Sequence, residues 1–221
     1  MKIKKVISTV FFIIMTVSCD RKIDLNLPSV FSDFMILQRE TEVTFWGKSS
    51  PNEKIEIKGT WGKSSSTKAD KSGNWELKLV TPSAGGPYEV VVNDSKNSIV
   101  YKDVLIGEVW LASGQSNMQW KLNQCKDCID NQDEEIENAN YNEIRFFNNP
   151  TDLSGTVVNS QEWKTVNPKA ASEMEDSFST ENYSAVGYFF AKKLYSELNV
   201  PIGIIGSYWG GTRVEAWTSR A

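Results

Sequence analysis

The chain has 221 residues, 40% hydrophobic and 24% charged, which is enough material for one large or two small globular domains. Its formal net charge of −4, with no basic stripe, argues against a nucleic-acid partner. Histidine is absent, so no serine–histidine mechanism can be completed within these residues. The eight Trp and seven Tyr are many for this length; core packing explains most of them, and a carbohydrate site is the alternative for a minority.

Residues 1–19 are predicted to be a signal peptide. Lysines at positions 2, 4 and 5 precede an apolar run, 6–17, that is too short to span a bilayer. The small residues before Cys19 resemble a bacterial lipoprotein processing site, which predicts a lipid on Cys19 and attachment to a membrane. We therefore expect an exported protein, either periplasmic or held as a lipoprotein at the outer membrane or cell surface. A soluble secreted product is the alternative.

Residues 24–102 are predicted to form a small antiparallel β-sandwich. Four stretches alternate between apolar and polar residues, as half-buried strands do: 42–46, 54–58, 75–79 and 88–92. Turn-forming residues separate these stretches, and several short strands with frequent turns are typical of a sandwich.

Residues 103–221 have the pattern of an α/β domain. The nearly continuous apolar run 104–112 is typical of a strand in a parallel sheet covered on both faces. Further predicted elements are helices at 117–122 and 184–198, with Ser184 as N-cap, and strands at 144–147, near Trp163 and at 202–206. The acid-rich segment 123–143 is predicted to be a loop or a solvated face. Open α/β sheets bind ligands beyond the carboxyl ends of their strands.

Ser116 is the candidate nucleophile. It follows the apolar strand through Ser113 and Gly114 and precedes a predicted helix. A serine on such a turn exposes its hydroxyl at the end of the sheet, with free backbone N–H groups beside it. A helix N-cap serine without chemistry is the alternative. Glu108, in the preceding strand, would need a partner if buried, so a structural role is favoured.

The two remaining cysteines, Cys125 and Cys128, form a single CxxC pair. A zinc site would need further ligands, and the sequence has neither a second pair nor a histidine. We interpret the pair as structural or incidental and expect neither a metal nor a cofactor.

Three segments, in order, resemble the sialate O-acetylesterase family of the SGNH-hydrolase superfamily. Residues 107–110 followed by Gly114-Gln115-Ser116-Asn117-Met118 resemble its nucleophile block. Residues 209–217, Trp-Gly-Gly-Thr-Arg-Val-Glu-Ala-Trp, resemble its second block. Residues 31–39 and 45–47 resemble the small β domain that precedes the hydrolase core.

The resemblance implies an α/β fold in which the β-sandwich precedes an SGNH-type α/β/α (flavodoxin-like) hydrolase domain. It also implies a carbohydrate esterase that removes O-acetyl groups from sialic acid through an acyl-enzyme on Ser116. The oxyanion would be held by the N–H of Ser116 and an N–H of Gly210 or Gly211. The Asn, Asp and His of the family's later blocks are not found, so we expect the chain to be the N-terminal part of a longer protein.

Four residues within these blocks are candidate substrate contacts: Gln115, Asn117, Arg213 and Glu215. Arg213 could pair with a sugar carboxylate such as that of sialic acid. The expected partner is therefore an O-acetylated sugar or glycan. Two alternatives stay open: a deacetylase acting on acetylxylan-type polysaccharide, and a non-catalytic surface lipoprotein whose β domain binds carbohydrate.

Overall fold

The structure is a computed structural model that describes residues 24–122, 129–149, 162–167 and 183–219. The predicted signal peptide, Cys19 and the pair Cys125 and Cys128 lie outside the described residues. Within the described ranges, no helix has the length and apolar character needed to cross a membrane.

Strands predominate among the elements of the described chain. The strands are β1 (Ile36–Gln38), β2 (Glu42–Lys48), β3 (Lys54–Gly59), β4 (Lys63–Lys68), β5 (Asn74–Val80), β6 (Gly85–Asn93), β7 (Ser98–Gly114), β8 (Tyr141–Asn148), β9 (Lys164–Val166) and β10 (Ile202–Tyr208). The helices are α1 (Ser116–Gln119), α2 (Gln132–Asn138), α3 (Ala185–Leu198) and a 3-10 helix (Val214–Trp217).

The first half of the chain is the predicted antiparallel sandwich. Strands β2 and β5 pair as one sheet, which packs on a second sheet ordered β4-β3-β6-β7. The alternation in β5 is complete, because Trp75, Leu77 and Leu79 are buried while their neighbours are exposed. Strand β4 was not predicted, since its sequence, Lys-Ser-Ser-Ser-Thr-Lys, has no apolar residue; it forms as an edge strand paired to β3.

Strand β7 belongs to both halves of the molecule. Its first part pairs antiparallel with β6, and its second part pairs parallel with β10, from Glu108 opposite Ile202 to Gly114 opposite Tyr208. Strand β8 continues the parallel sheet beyond β10. The chain is therefore a mixed α/β protein, and the expected boundary between residues 102 and 103 falls inside this shared strand.

The two faces of the parallel sheet are covered differently. On one face, Ile202 and Ile204 pack in a core with Tyr188 of α3. On the other face, Phe147 and Trp163 are part of the sandwich core, and Ile205 packs against it. One helix and the β-sandwich together bury the sheet, as the apolar character of β10 requires.

Helix α3 begins and ends where the sequence predicts. The side chain of Ser184 accepts a hydrogen bond from the Gly187 N–H at 3.1 Å, and Asn199 ends the helix in the left-handed region at φ 50°. The side of the helix that packs on the sheet carries Tyr188 and two small residues. Gly187 and Ala191 are buried, and a Cβ on Gly187 would lie 3.3 Å from Phe146.

The apolar stripe that predicts α3 is exposed rather than buried. Val186, Phe189 and Phe190 are 50, 37 and 41% exposed. Phe190 contacts Trp110 of β7 edge to face, with ring centroids 5.2 Å apart. The described surface therefore includes an apolar patch beside the second half of β7.

The acid-rich segment predicted as a loop or solvated face contains α2. Its Glu135 accepts hydrogen bonds from the Tyr188 hydroxyl and the Lys192 ammonium, each at 2.5 Å. Partial burial opposes ionisation, but the hydrogen bonds from Lys192 and Tyr188 outweigh it and lower the pKa of Glu135. The carboxylate thus anchors α2 to α3.

A buried arginine joins the two halves of the fold. Arg145, on β8, is 4% exposed and donates to the carbonyls of Phe34 at 2.8 Å and Asp103 at 2.6 Å. It also donates to the Asp103 carboxylate at 2.8 Å and to the Asn142 carbonyl at 3.2 Å. Phe34 and Asp103 both have positive φ, 64° and 53°, so one guanidinium holds two uncommon turns against the parallel sheet.

We expect Arg145→Met to lower the free energy of unfolding by about 2–4 kcal/mol, because it removes the donor to the Phe34 and Asp103 carbonyls and the partner of the Asp103 carboxylate. Arg145→Lys should recover only part of the loss, since an ammonium cannot reproduce the fork of the guanidinium. Urea denaturation measures both. The control is Lys78→Met in the exposed pair with Glu42, which should change stability by less than about 0.5 kcal/mol. An equal effect of Arg145→Met and the control would contradict the proposed role.

Candidate active site

The candidate site lies at the carboxyl ends of two adjacent parallel strands. Gly114, the last residue of β7, is opposite Tyr208, the last residue of β10, and its carbonyl accepts from the Trp209 N–H at 2.9 Å. Helix α1 leaves one strand at Ser116, and the Gly210-Gly211 turn leaves the other. The pairing brings the two predicted blocks side by side.

Gly210 lies directly against Ser116. A Cβ built on Gly210 would be 3.6 Å from Ser116 Cα and 3.7 Å from Ser116 Cβ. The absence of a side chain therefore keeps open the space next to the serine. Gly211, with φ 79°, occupies the left-handed region that favours glycine, and a Cβ there would meet nothing within 4 Å.

The Ser116 hydroxyl has no base beside it among the described residues. The side chain is half-buried, and its Oγ donates to Gln115 Oε1 at 3.3 Å. An amide oxygen cannot take the proton of an attacking hydroxyl, so this contact orients the serine without activating it. Within the described residues, the Ser116 hydroxyl therefore has an orienting partner and no activating base.

Gln119 joins the nucleophile helix to the glycine turn. Its Oε1 accepts a hydrogen bond from the Gly210 N–H at 2.5 Å. Because residues three apart lie on the same side of a helical turn, Gln119 and Ser116 face the turn together. Gln119 was not among the site residues predicted from the sequence. Its position three residues after Ser116, on the same side of a helical turn, could have indicated it.

The hydroxyl of Thr212, the residue after the two glycines, stabilises the turn. The Thr212 hydroxyl donates to the Trp209 carbonyl at 2.7 Å and accepts from the Trp217 indole N–H, also at 2.7 Å. Trp217 belongs to the 3-10 helix. This hydrogen bond therefore connects the 3-10 helix to the glycine turn and helps to hold the turn in place.

The four candidate substrate contacts are all exposed. Gln115 and Asn117 flank Ser116, whereas Arg213 and Glu215 follow the glycine turn at the start of the 3-10 helix. They are therefore placed on the two segments that meet at Ser116, with their side chains in solvent.

Two polar pairs support the strands that carry the site. Glu108 is paired with Arg39 at 2.7 Å and accepts from Gln38 at 3.3 Å, in agreement with the favoured structural role. Tyr208 donates to Asn148 Oδ1 at 2.8 Å. Burial raises the pKa of Tyr208 to about 12, so the phenol stays protonated and cannot serve as a base near neutral pH. In the described part of the chain, no group of three His, Cys, Asp or Glu could hold a metal ion.

Comparisons with known proteins identify relatives over nearly the whole chain, although no family model matches it. Sialate O-acetylesterase of Mus musculus is 31% identical over 97% of this chain and 41% of its own length. Sialate O-acetylesterase of Homo sapiens is 34% identical over 89% of this chain and 39% of its own length. A carbohydrate acetylesterase from Xanthomonas citri, a solved structure, superimposes with a TM-score of 0.75 at 38% identity, over 89% of this chain and 43% of that one.

The chain is therefore similar in sequence to sialate O-acetylesterases and in fold to a carbohydrate acetylesterase. It spans about two fifths of the length of the relatives it matches.

We expect Gln119→Met to speed hydrogen exchange of the Gly210 amide about tenfold, because the variant keeps the side-chain length but removes the acceptor. Gln119→Glu keeps an acceptor oxygen and should preserve the protection. Exchange followed by NMR measures both, with the Trp209 amide, bonded to Gly114, as the unaffected control. Equal Gly210 protection in the wild type and the Met variant would show that Gln119 does not hold the turn.

Proposed function

We propose that the protein containing this chain is a carbohydrate esterase that removes O-acetyl groups from sialic acid through a serine acyl-enzyme. The observation that carries the proposal is the closeness of Gly210 to Ser116 at the carboxyl ends of β7 and β10. A nucleophile next to backbone N–H groups is the arrangement that acyl transfer needs. Homology to sialate O-acetylesterases supports the substrate class.

In the proposed reaction, Ser116 Oγ attacks the acetyl carbonyl carbon and the carbonyl oxygen becomes an oxyanion. The N–H of Ser116 and an N–H of the glycine turn stabilise that charge. The Gly210 N–H already donates to Gln119, so the Gly211 N–H is the turn donor we propose. The sugar oxygen then leaves with a proton, and water hydrolyses the acetyl-serine to acetate and free enzyme.

We propose that the proton of Ser116 goes to a histidine outside these 221 residues, because the chain itself has no histidine. We propose that the rest of a longer protein supplies this base. The coverage of the relatives supports this, since they extend well beyond the matched region.

Arg213 supports sialic acid over a neutral sugar. Its guanidinium is exposed just after the glycine turn and can pair with a carboxylate. A deacetylase of acetylxylan-type polysaccharide is the second candidate, favoured by the solved structure described only as a carbohydrate acetylesterase. A non-catalytic carbohydrate-binding lipoprotein is the third, favoured by the absent base.

We also propose that the protein is exported and attached to a membrane through a lipid on Cys19. The support is the sequence: an apolar run at 6–17 behind lysines and small residues before the cysteine. Export would bring the esterase to extracellular or periplasmic glycans.

The first test of the proposed reaction compares the 221-residue chain with a longer natural form that includes a histidine. We expect the short chain to have a kcat/KM on p-nitrophenyl acetate lower by about 10³-fold or more, because its serine has no base. In the longer form, Ser116→Ala should abolish the activity. Strong activity of the short chain that is lost on Ser116→Ala would refute the need for an outside base.

The second test concerns the sugar. In the longer form, Arg213→Gln should raise KM for O-acetylated sialic acid about two- to fivefold, as expected for an exposed charge pair, and leave KM for p-nitrophenyl acetate unchanged. Arg213→Lys keeps the charge and should lose less. An unchanged KM for sialic acid in Arg213→Gln would favour a neutral polysaccharide substrate.

A further inference from the structure

The β-sandwich carries a groove that the esterase chemistry does not use. Its volume of about 620 Å³ lies within the range of about 300–1,000 Å³ typical of small-ligand sites. The lining residues come from β2, β5 and two loops, and they include Trp46, Lys48, Asp70, Asn74 and Glu76. None of them belongs to the strands that carry Ser116 and Gly210.

Strand register explains why polar groups surround an aromatic ring there. Trp46 is opposite Glu76 and Lys48 is opposite Asn74 in the β2–β5 pair. All four are exposed, whereas Trp75, which lies between Asn74 and Glu76 on β5, is buried in the sandwich core. The period of two therefore puts an indole, a carboxylate, an ammonium and an amide on one outer face.

Trp46 is held in position while much of its ring stays open to solvent. It is 44% exposed, and its ring contacts the Phe31 ring edge to face, with ring centroids 4.8 Å apart. Phe31 in turn stacks on the buried Phe45 at 4.7 Å. A ring fixed in this way loses little conformational entropy when a ligand stacks on it.

The hydrogen-bonding groups of the groove include a fixed acceptor. Asp70 Oδ1 accepts from the Ser72 N–H at 2.7 Å and from the Asn74 N–H at 2.9 Å. The backbone hydrogen bond from Asn74, with that from Ser72, holds the pKa of Asp70 below its ordinary value, so it is ionised. Asp70 and Glu76 provide acceptors for hydroxyl groups.

The charges of the lining select a neutral ligand. Two carboxylates, Asp70 and Glu76, disfavour an anionic sugar, and the ammonium of Lys48 disfavours a cation. A molecule with an apolar face for Trp46 and hydroxyl groups for the acceptors fits both conditions, and a sugar ring has both features.

We propose that this groove binds a neutral glycan chain, at a site separate from the Ser116 region. Such a site would hold a polysaccharide by its unmodified sugars, so it does not depend on the hydrolytic reaction. Binding of a glycan in this groove would therefore neither require nor exclude the proposed esterase function.

Titration of the chain with xylohexaose and with cellohexaose, followed by NMR, tests the proposal. We expect saturable binding of at least one neutral probe and shifts of the Trp46 indole. Trp46→Ala should weaken binding about tenfold or more, while Trp110→Ala changes it less than about twofold. Trp110 is the matched control, because it is 45% exposed on β7, outside the groove.

Two further variants keep the test decisive. Glu76→Ala removes an exposed acceptor without touching the core and should weaken binding even if Trp46→Ala does not fold. Ser116→Ala should leave binding unchanged. No saturable binding of either neutral probe, an equal loss in Trp110→Ala, or tighter binding of 3′-sialyllactose than of the neutral probes would overturn the proposal.

Discussion

The parallel pairing of β7 with β10 is the constraint on which the candidate site depends. The register puts Ser113 opposite Ser207 and Gly114 opposite Tyr208, so both strands end at the same level. The nucleophile helix and the glycine turn then start side by side. Strand β7 also pairs antiparallel with β6 within the sandwich. The β domain therefore fixes the position of one of the two strands that end at the site. The buried Arg145 holds β8, the next strand of the sheet, to the same β domain.

The candidate site combines a serine at the start of a helix with a glycine turn beside it. Ser116 is held by its helix, Gly210 by Gln119, and the turn by Thr212. Preorganised N–H groups beside a nucleophile give large electrostatic stabilisation in acyl transfer. The proposed reaction also needs a base for the Ser116 proton, and none lies beside the hydroxyl among the described residues. Our proposal assigns that base to a longer form of the protein.

The sequence predicts a helix or strand well where the spacing of its apolar residues matches the residues that are buried. It predicts poorly where contacts with distant segments determine whether an element forms or which side of it packs. The alternation 75–79 gives β5. The apolar run 104–112 gives the second part of β7, but only 104–107 are buried throughout, and Trp110 and Leu111 are 45 and 65% exposed, so the expectation of a strand covered on both faces is wrong there. Polar β4 forms through pairing with β3 alone, which no local pattern indicates. The apolar side of α3 is exposed, because the close approach of Gly187 to β8 sets which side packs. For the site, Ser116 and Gly210 follow from motifs, but Gln119 emerges only when the turn and helix meet in space.

The central claim is that Ser116 forms an acyl-enzyme beside the Gly210-Gly211 turn. Its most direct test is peptide mass spectrometry of the longest natural form of the protein, quenched with acid during turnover of an acetylated substrate. The account predicts an acetyl group on the peptide that contains Ser116, and its absence in Ser116→Ala. Steady release of acetate with no acetyl group on Ser116, or with the acetyl group on another residue, would contradict it.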